Sequence, residues 1–109
     1  MTLSKKVQLI RDALKTVNGL NIYHYWRPNM VPPFVVWAET GEADSFHSDD
    51  HKTEQGIRGT ADYYTKTEYD ANIDAIQTAL DSVGAFRLDA VDYEEETNLI
   101  HYSWIWEVR

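Results

Sequence analysis

The stretch NLIHYSWIWEV, residues 98–108, decides the fold, because its large apolar side chains recur at every second position. The opposite face of the same stretch carries the more polar side chains His101, Ser103 and Glu107. The apolar face consists of Ile100, Tyr102, Trp104, Trp106 and Val108. A period of two over this length predicts a β-strand that is buried on one face.

Four other segments also have the character of strands. FRLDAVDY (86–93) is joined to the final strand by the short polar link Glu94–Thr97, which predicts a β-hairpin. GIRGTADYYT (56–65) alternates between small or apolar residues and polar ones. The remaining two are the aromatic-rich LNIYHYWR (20–27) and FVVWAE (34–39), which a proline-containing turn separates.

The first twenty residues predict an amphipathic helix with a single apolar stripe. Thr2 or Ser4 can cap its start, and Asn18-Gly19 supplies a left-handed stop. The stripe, with alternating spacings of four and three residues, consists of Leu3, Val7, Ile10, Leu14 and Val17.

A second amphipathic helix is predicted between the strands at 56–65 and 86–93. Thr67 with Asp70 three residues later approximates a capping box, and Gly84 ends the helix. Its stripe has the same spacing and consists of Tyr69, Ile73, Ile76, Leu80 and Val83.

The order of elements is therefore α-β-β-β-α-β-β. Each helix has only one apolar face, so each must pack against a sheet. We predict one α+β domain over residues 1–109, with two helices on an antiparallel or mixed sheet of about four to five strands.

Composition removes several classes of function. The chain has no cysteine, which excludes disulfides, thiolate catalysis and cysteine-based zinc sites. The first residues contain no long apolar run, so we expect neither a signal peptide nor a membrane span. The net charge of −8 disfavours general binding to nucleic-acid phosphates.

The charge is unevenly distributed along the chain. The first helix is basic, whereas residues 39–55 and 89–96 are acidic. Such segregation of charge favours charge-complementary contacts, including contacts between copies of the same chain.

FHSDDHKTEQ, residues 46–55, is the segment richest in metal-ligand side chains. His47 and His51 flank Asp49 and Asp50, and all four are metal-ligand candidates. Histidines four residues apart share a face only on a helix, and this segment has weak helix formers and no apolar stripe. The favoured interpretation is a solvated loop without a metal or other cofactor, since polar residues collect in loops.

Other catalytic arrangements find little support in the sequence. His24 and His101 lie on separate strands, and we interpret them as half-exposed strand residues rather than a catalytic pair. Gly56 and Gly59 are not followed by the lysine and serine of a phosphate loop, and no serine has the glycine neighbours of a nucleophile elbow. We therefore predict that the protein is not an enzyme.

The strand aromatics could form a stacking platform for sugars or bases. A nucleic-acid platform usually interleaves basic residues, and only Arg27 is close in sequence here. We favour a core and subunit-interface role, with a carbohydrate-binding surface as an alternative. The set comprises Tyr23, Tyr25, Trp26, Trp37, Tyr102, Trp104 and Trp106.

Several segments together resemble the tail terminator, or tail completion, proteins of long-tailed bacteriophages and prophages. After the N-terminal helix come PFVVW (33–37) and a polar loop with SDD (48–50). DYYTK (62–66) then leads into the second helix, and the closing hairpin ends in YSWIWEV (102–108). The likeness covers nearly the whole chain in order and length.

The resemblance implies a structural protein without catalytic residues. Such a protein caps the tail tube as a ring, usually a hexamer, ends tube polymerisation and presents the surface that joins the filled head. It implies as partners further copies of the chain, the tail tube protein and a head-closure or neck protein, with DNA passing through the ring. It also implies a location in the virion tail, and in the host cytoplasm during assembly.

Charge suggests which residues would form the subunit interface or line the lumen of such a ring. A basic helix on one copy could meet an acidic loop on the next, because a closed ring joins two different patches. The candidates are Lys5, Lys6, Arg11, Glu42, Asp44, Asp49 and Asp50.

Besides the carbohydrate-binding surface, two alternatives remain open on the sequence alone. One is a head-closure or other neck protein of similar size. The other, from a different class, is a small metal-dependent enzyme using His47, His51 and Asp49 or Asp50.

Overall fold

The computed structural model describes residues 1–27, 29, 31–43, 47–48, 51–52 and 55–109, and at residues 47, 48, 51 and 52 it describes the backbone alone. Within these residues the chain forms one α+β domain, as predicted from the sequence. Two helices lie on a mixed five-stranded sheet.

Helix α1 spans Leu3–Lys15 and begins at the predicted cap. The Thr2 hydroxyl oxygen accepts the backbone N–H of Lys5 at 3.2 Å, so Thr2 rather than Ser4 is the N-cap. Ile10 and Leu14 on its apolar stripe are fully buried. The helix ends at Lys15 with Thr16 as its C-cap, earlier than the predicted stop at Asn18-Gly19, and Gly19 with φ +73° lies in the turn that follows.

Helix α2 spans Ala71–Asp81 and starts later than predicted. Its N-cap is Asp70, whose side chain accepts the backbone N–H of Asn72, so the predicted capping box from Thr67 is wrong. Tyr69 is also misassigned to the apolar stripe, because it precedes the cap, has φ +55° and is 96% exposed. Ile76 and Leu80 are buried as expected.

The strands run β1 Asn21–His24, β2 Phe34–Glu42, β3 His47–Ser48, β4 His51–Lys52, β5 Ile57–Thr65, β6 Ala85–Glu94 and β7 Leu99–Val108. The main sheet has the order β1-β2-β5-β7-β6, and β1 runs parallel to β2 while all other neighbours are antiparallel. β3 and β4 pair with each other as a small separate ribbon inside the segment predicted as a loop. The predicted hairpin of the last two strands is confirmed, with β6 at the edge of the sheet.

The main core lies between the helices and the central strands. Trp104, Trp106 and Tyr63 are fully buried on this face. Trp106 lies against Gly59, where an added Cβ would come within 2.2 Å of the indole ring and of the Ala38 carbonyl oxygen. Glycine is therefore required on this part of β5, because the indole occupies the space that a side chain would fill.

A smaller cluster occupies the other face of the sheet. Phe34, Val36, Tyr64 and Leu99 are buried there, with Tyr23 packed against them. The guanidinium of Arg27 covers the Tyr64 ring at 4.4 Å from its centroid.

Candidate interaction surface

A groove lies between the start of α2 and the hairpin of β6 and β7. It has a volume of about 580 Å³. Its apolar lining comes from Ile73 on α2, Tyr93 on β6, and Ile100 and Tyr102 on β7. Its remaining lining residues are Glu68, Tyr69, Asp70 and Asp74.

The strand register explains why these apolar side chains meet. Tyr93 pairs with Ile100, and Val91 pairs with Tyr102, so all four project from the same face of the hairpin. This is the face that carries Trp104 and Trp106 further along β7. At this end of the hairpin the first turn of α2 lines the other side of the groove, and Val91 and Tyr93 stay at least half exposed.

The edge strand continues the groove with further exposed apolar side chains. Leu88 is 47% exposed, Val91 50% and Tyr93 59%. β6 has a strand neighbour on one side only, because it is the last strand of the sheet. We call the lining residues of the cavity together with Leu88 and Val91 the β6 groove.

Asp70, on the acidic side of the groove, holds α2 to the sheet. Besides capping the helix through the Asn72 N–H at 2.9 Å, its carboxylate accepts the Tyr63 hydroxyl at 2.6 Å and the Thr65 hydroxyl at 2.7 Å. Burial by itself would raise the pKa of Asp70, but the hydrogen bonds from Tyr63, Asn72 and Thr65 outweigh it and lower the pKa. Burial and the bond to Asp70 raise the pKa of Tyr63 to about 12.

The other two acids of the groove project into solvent. Glu68 and Asp74 are exposed, unlike the partly buried Asp70. The β6 groove is therefore an apolar depression with two exposed carboxylates at one side. Such a surface suits a partner segment that is both apolar and basic.

The first turn of α1 has the complementary character. Leu3 is 42% exposed, and Lys5, two residues on, is exposed on roughly the opposite side of the helix. The first turn contains no acidic residue. The positive end of the helix dipole and the charge of Lys5 therefore add rather than cancel.

Lys6 has to be removed from the predicted interface set. It is only 3% exposed, and its ammonium donates to the Gln55 carbonyl oxygen at 2.5 Å. Because this contact lies within one subunit, the charge of Lys6 is not presented to a neighbouring copy. Arg11 is half exposed and forms an ion pair with Asp12 of the same helix at 2.9 Å.

The acidic interface candidates are only partly described. Glu42 is the last residue of β2, and its carboxylate accepts the Gln55 side-chain amide at 2.9 Å. The predictions for Asp44, Asp49 and Asp50 lie outside the described residues.

The predicted loop with His47 and His51 forms the short ribbon of β3 and β4. The register pairs His47 with Lys52 and Ser48 with His51, so the histidines are not cross-strand partners. The i, i+4 helical arrangement that would favour a shared metal is absent from these four residues. Within the part of the chain described here, no three histidine or acidic side chains form a metal-like cluster.

His24 and His101 are separated by two strands and each has its own carboxylate. His24 Nε2 lies 2.6 Å from Glu39, and His101 Nε2 lies 2.7 Å from Asp62. The sheet order places β2 and β5 between them. The interpretation of two independent strand histidines is therefore confirmed.

Aromatic rings complete the β1 edge of the sheet. The His24 ring stacks between Trp37 at 3.8 Å and Tyr25 at 3.7 Å. Tyr25 has φ +82°, and its hydroxyl donates to Glu39 at 2.9 Å. Donation to the Glu39 carboxylate raises the pKa of Tyr25.

The predicted aromatic platform is divided between core and surface. Trp37, Trp104 and Trp106 are buried, while Tyr23 and Tyr102 are partly buried. Only Tyr25 and Trp26 of the predicted set are exposed, at the end of β1. The core role of the tryptophans on β2 and β7 is confirmed.

Comparison with known proteins adds no identification. No protein-family model matches the chain, and no curated protein matches it significantly. Among the described residues, neither helix is long and apolar enough to cross a membrane.

Sequence reasoning missed the β6 groove. Its apolar residues were assigned to strands and helices correctly, but nothing in the sequence shows which strand the helices leave uncovered. The one local signal is the acidic cluster Glu68, Asp70 and Asp74 beside an apolar stripe.

Proposed function

We propose that this chain is a structural subunit of the tail terminator kind, which assembles as a ring on the tail tube of a long-tailed bacteriophage. In this role it ends tube polymerisation and forms the interface that joins the head. The observation that carries the proposal is the β6 groove, which leaves an apolar surface on an unpaired edge strand. The kind of assembly, a ring on the tail tube, is taken from the sequence resemblance.

The exposed apolar face of β6 favours a subunit of an assembly. The backbone edge of β6 is shielded against strand pairing by Arg87, Asp89 and Asp92 and by a bulge after Leu88, but its apolar face is left open. Here Leu88, Val91 and Tyr93 are about half exposed on the groove side of β6. A contact with another chain would remove this surface from water.

The charge of the chain suits a ring through which DNA passes. The net charge is −8, and exposed Glu95 and Glu96 lie at the β6–β7 turn. An acidic channel does not retain DNA, because like charges repel. The way in which the copies dock would determine which acidic residues face the lumen.

A capping assay tests the proposal and separates it from a neck role. Purified chain is mixed either with isolated tail tubes or with DNA-filled heads that lack tails, and the products are viewed by negative-stain electron microscopy. A terminator binds one end of the tubes as a ring without heads. A head-closure or neck protein binds the heads without tubes.

The assay has two contradicting outcomes. Binding to heads alone would replace the terminator role with the neck role. A chain that stays monomeric by sedimentation at high concentration, and binds neither tubes nor heads, would refute both.

A further inference from the structure

We propose that the β6 groove of one subunit receives the first turn of α1 from the next copy. The helix would enter end-on, with Leu3 against the apolar side chains of the hairpin and Lys5, on the opposite side of the turn, against the carboxylates of Glu68 and Asp74. The inference rests on the proposed function only in taking a second copy of the chain as the occupant.

The two surfaces are complementary in their apolar side chains and in their charge. The groove offers Ile73, Ile100 and Tyr102 to an apolar side chain, and Leu3 keeps 42% of its surface exposed. Lys5 adds one positive charge where the groove carries exposed carboxylates. The unneutralised positive end of α1 adds to the attraction, since its first turn has no acid.

The two surfaces lie at opposite ends of the central strands. The bond from Lys6 to Gln55 fixes the start of α1 near Ile57, the first residue of β5, which pairs with Val108. The groove includes Ile100, which pairs with Thr65 at the other end of β5. A nine-residue strand spans roughly 27 Å, so one subunit cannot bring its own α1 start into its own groove.

The resulting contact is heterologous, because a surface on one copy meets a different surface on the next. Heterologous contacts repeat from copy to copy, and they close into a ring when the rotation between neighbours permits. This is the type of interface that a ring-shaped cap requires.

Site-directed cross-linking tests the contact directly. The chain has no cysteine, so single cysteines can be placed without background reaction. Leu3→Cys is mixed with Tyr69→Cys, whose side chain is almost fully exposed at the groove. A short bismaleimide joins the copies, and mass spectrometry identifies the heterodimer.

Two matched mixtures serve as controls. Lys15→Cys places the thiol at the other end of α1, and Arg87→Cys places it on the opposite face of β6 from the groove. The control mixtures are Lys15→Cys with Tyr69→Cys and Leu3→Cys with Arg87→Cys. We expect about tenfold more heterodimer from Leu3→Cys with Tyr69→Cys than from either control, because the contact raises the local thiol concentration.

A charge exchange provides a second readout. Lys5→Glu and Asp74→Lys each weaken self-association about two- to fivefold at low salt, as expected for one exposed ion pair. The double variant recovers most of the loss, and the differences shrink as salt is raised. Lys5→Gln and Asp74→Asn repeat the test with milder changes, and thermal unfolding confirms that each variant is folded.

The outcomes separate this inference from the proposed function. Equal heterodimer in all three mixtures, or no recovery in the double variant, overturns the helix-in-groove contact even if the wild type caps tubes. Selective cross-linking without capping keeps the contact and refutes the terminator role. Cross-linking of Tyr69→Cys to the tube protein instead of a second copy also overturns the inference.

Discussion

β7 and β6 are neighbours in one hairpin and both carry apolar side chains on the same face, yet their environments differ. Trp104 and Trp106 on β7 are fully buried beneath the helices, and their indole N–H groups donate to Gln77 and to the Thr60 carbonyl oxygen. Leu88 and Val91 on β6 remain about half exposed.

The difference arises from how much of the sheet two helices can cover. α1 and α2 pack side by side over the central strands, and α2 reaches the edge strand only in part. The centre of the sheet is therefore complete within one subunit, whereas the apolar face of its edge strand stays about half exposed and is the surface that the proposed assembly would cover. Substitutions at the centre should affect folding, and substitutions at the edge should affect assembly.

Gly59→Ala should give the largest loss of folding stability. The new methyl group would overlap both the Trp106 ring and the Ala38 carbonyl oxygen, neither of which can move freely in the packed core. We expect a loss of about 3 kcal/mol in the free energy of unfolding, measured by urea denaturation.

Gly41→Ala on β2 is the matched control. There an added Cβ meets only the Arg58 guanidinium, at 3.6 Å. The expected change is less than about 1 kcal/mol. Equal effects of the two substitutions would contradict the packing of Trp106 on Gly59.

Asp70→Ala, at the boundary between core and groove, should give the next largest loss of folding stability. It removes the cap of α2 and leaves the hydroxyls of the buried residues Tyr63 and Thr65 without their acceptor. We expect a loss of about 2 kcal/mol in unfolding free energy. Asp70→Asn keeps a capping oxygen and should lose about half as much.

The Asp70 carboxylate should also make the free energy of unfolding depend on pH. The pKa of Asp70 is lower in the folded chain than its ordinary value of 3.8. Its stabilisation is therefore complete above the ordinary pKa and is lost as the pH falls through the folded-state pKa. Urea denaturation of the wild type and of Asp70→Asn should show that the difference between their free energies of unfolding becomes smaller below about pH 4. A difference that stays constant with pH would contradict the role of the Asp70 carboxylate.

Leu88→Ser with Val91→Ser should lower the free energy of unfolding by about 1.5 kcal/mol, because about half of each side chain is buried within the subunit. The same pair should weaken self-association by about 1 kcal/mol or more, since the contact no longer buries apolar surface. Arg87→Ser with Ala90→Ser changes the opposite face of β6 and should leave association nearly unaltered. Sedimentation equilibrium measures both pairs.

Glu39→Gln should give the smallest effect and concerns the opposite edge of the sheet. The β1 edge is completed locally by the stack of Trp37, His24 and Tyr25 around the Glu39 carboxylate. Removing this charge should lower the pKa of Tyr25 toward its ordinary value in an ultraviolet titration. Self-association should not change, and a large loss would show that the β1 edge also takes part in assembly.

The sequence predicts the parts of this fold that depend on local periodicity. The alternation of residues 98–108, the stripe of α1 and the left-handed conformation of Gly19 all have a local cause, and the structure contains each of them. The buried face of β7 is predicted correctly at Trp104, Trp106 and Val108, because large alternating side chains leave little choice of face.

The errors concern features that depend on distant neighbours. The buried state of Lys6 requires the carbonyl of Gln55, which is 49 residues away in the chain. The cap of α2 moves to Asp70 because Tyr63 and Thr65 on β5 hold its carboxylate there. The groove depends on which strand lies at the edge, and periodicity does not report strand order.

The most direct test is the length of tail tubes polymerised in the presence of this chain. We expect the wild type to form rings on tube ends and to shorten the tubes, whereas Leu88→Ser with Val91→Ser should leave the tubes long. Arg87→Ser with Ala90→Ser should act like the wild type. Capping by the groove-side variant as efficient as capping by the wild type would contradict the assignment of β6 as the assembly surface.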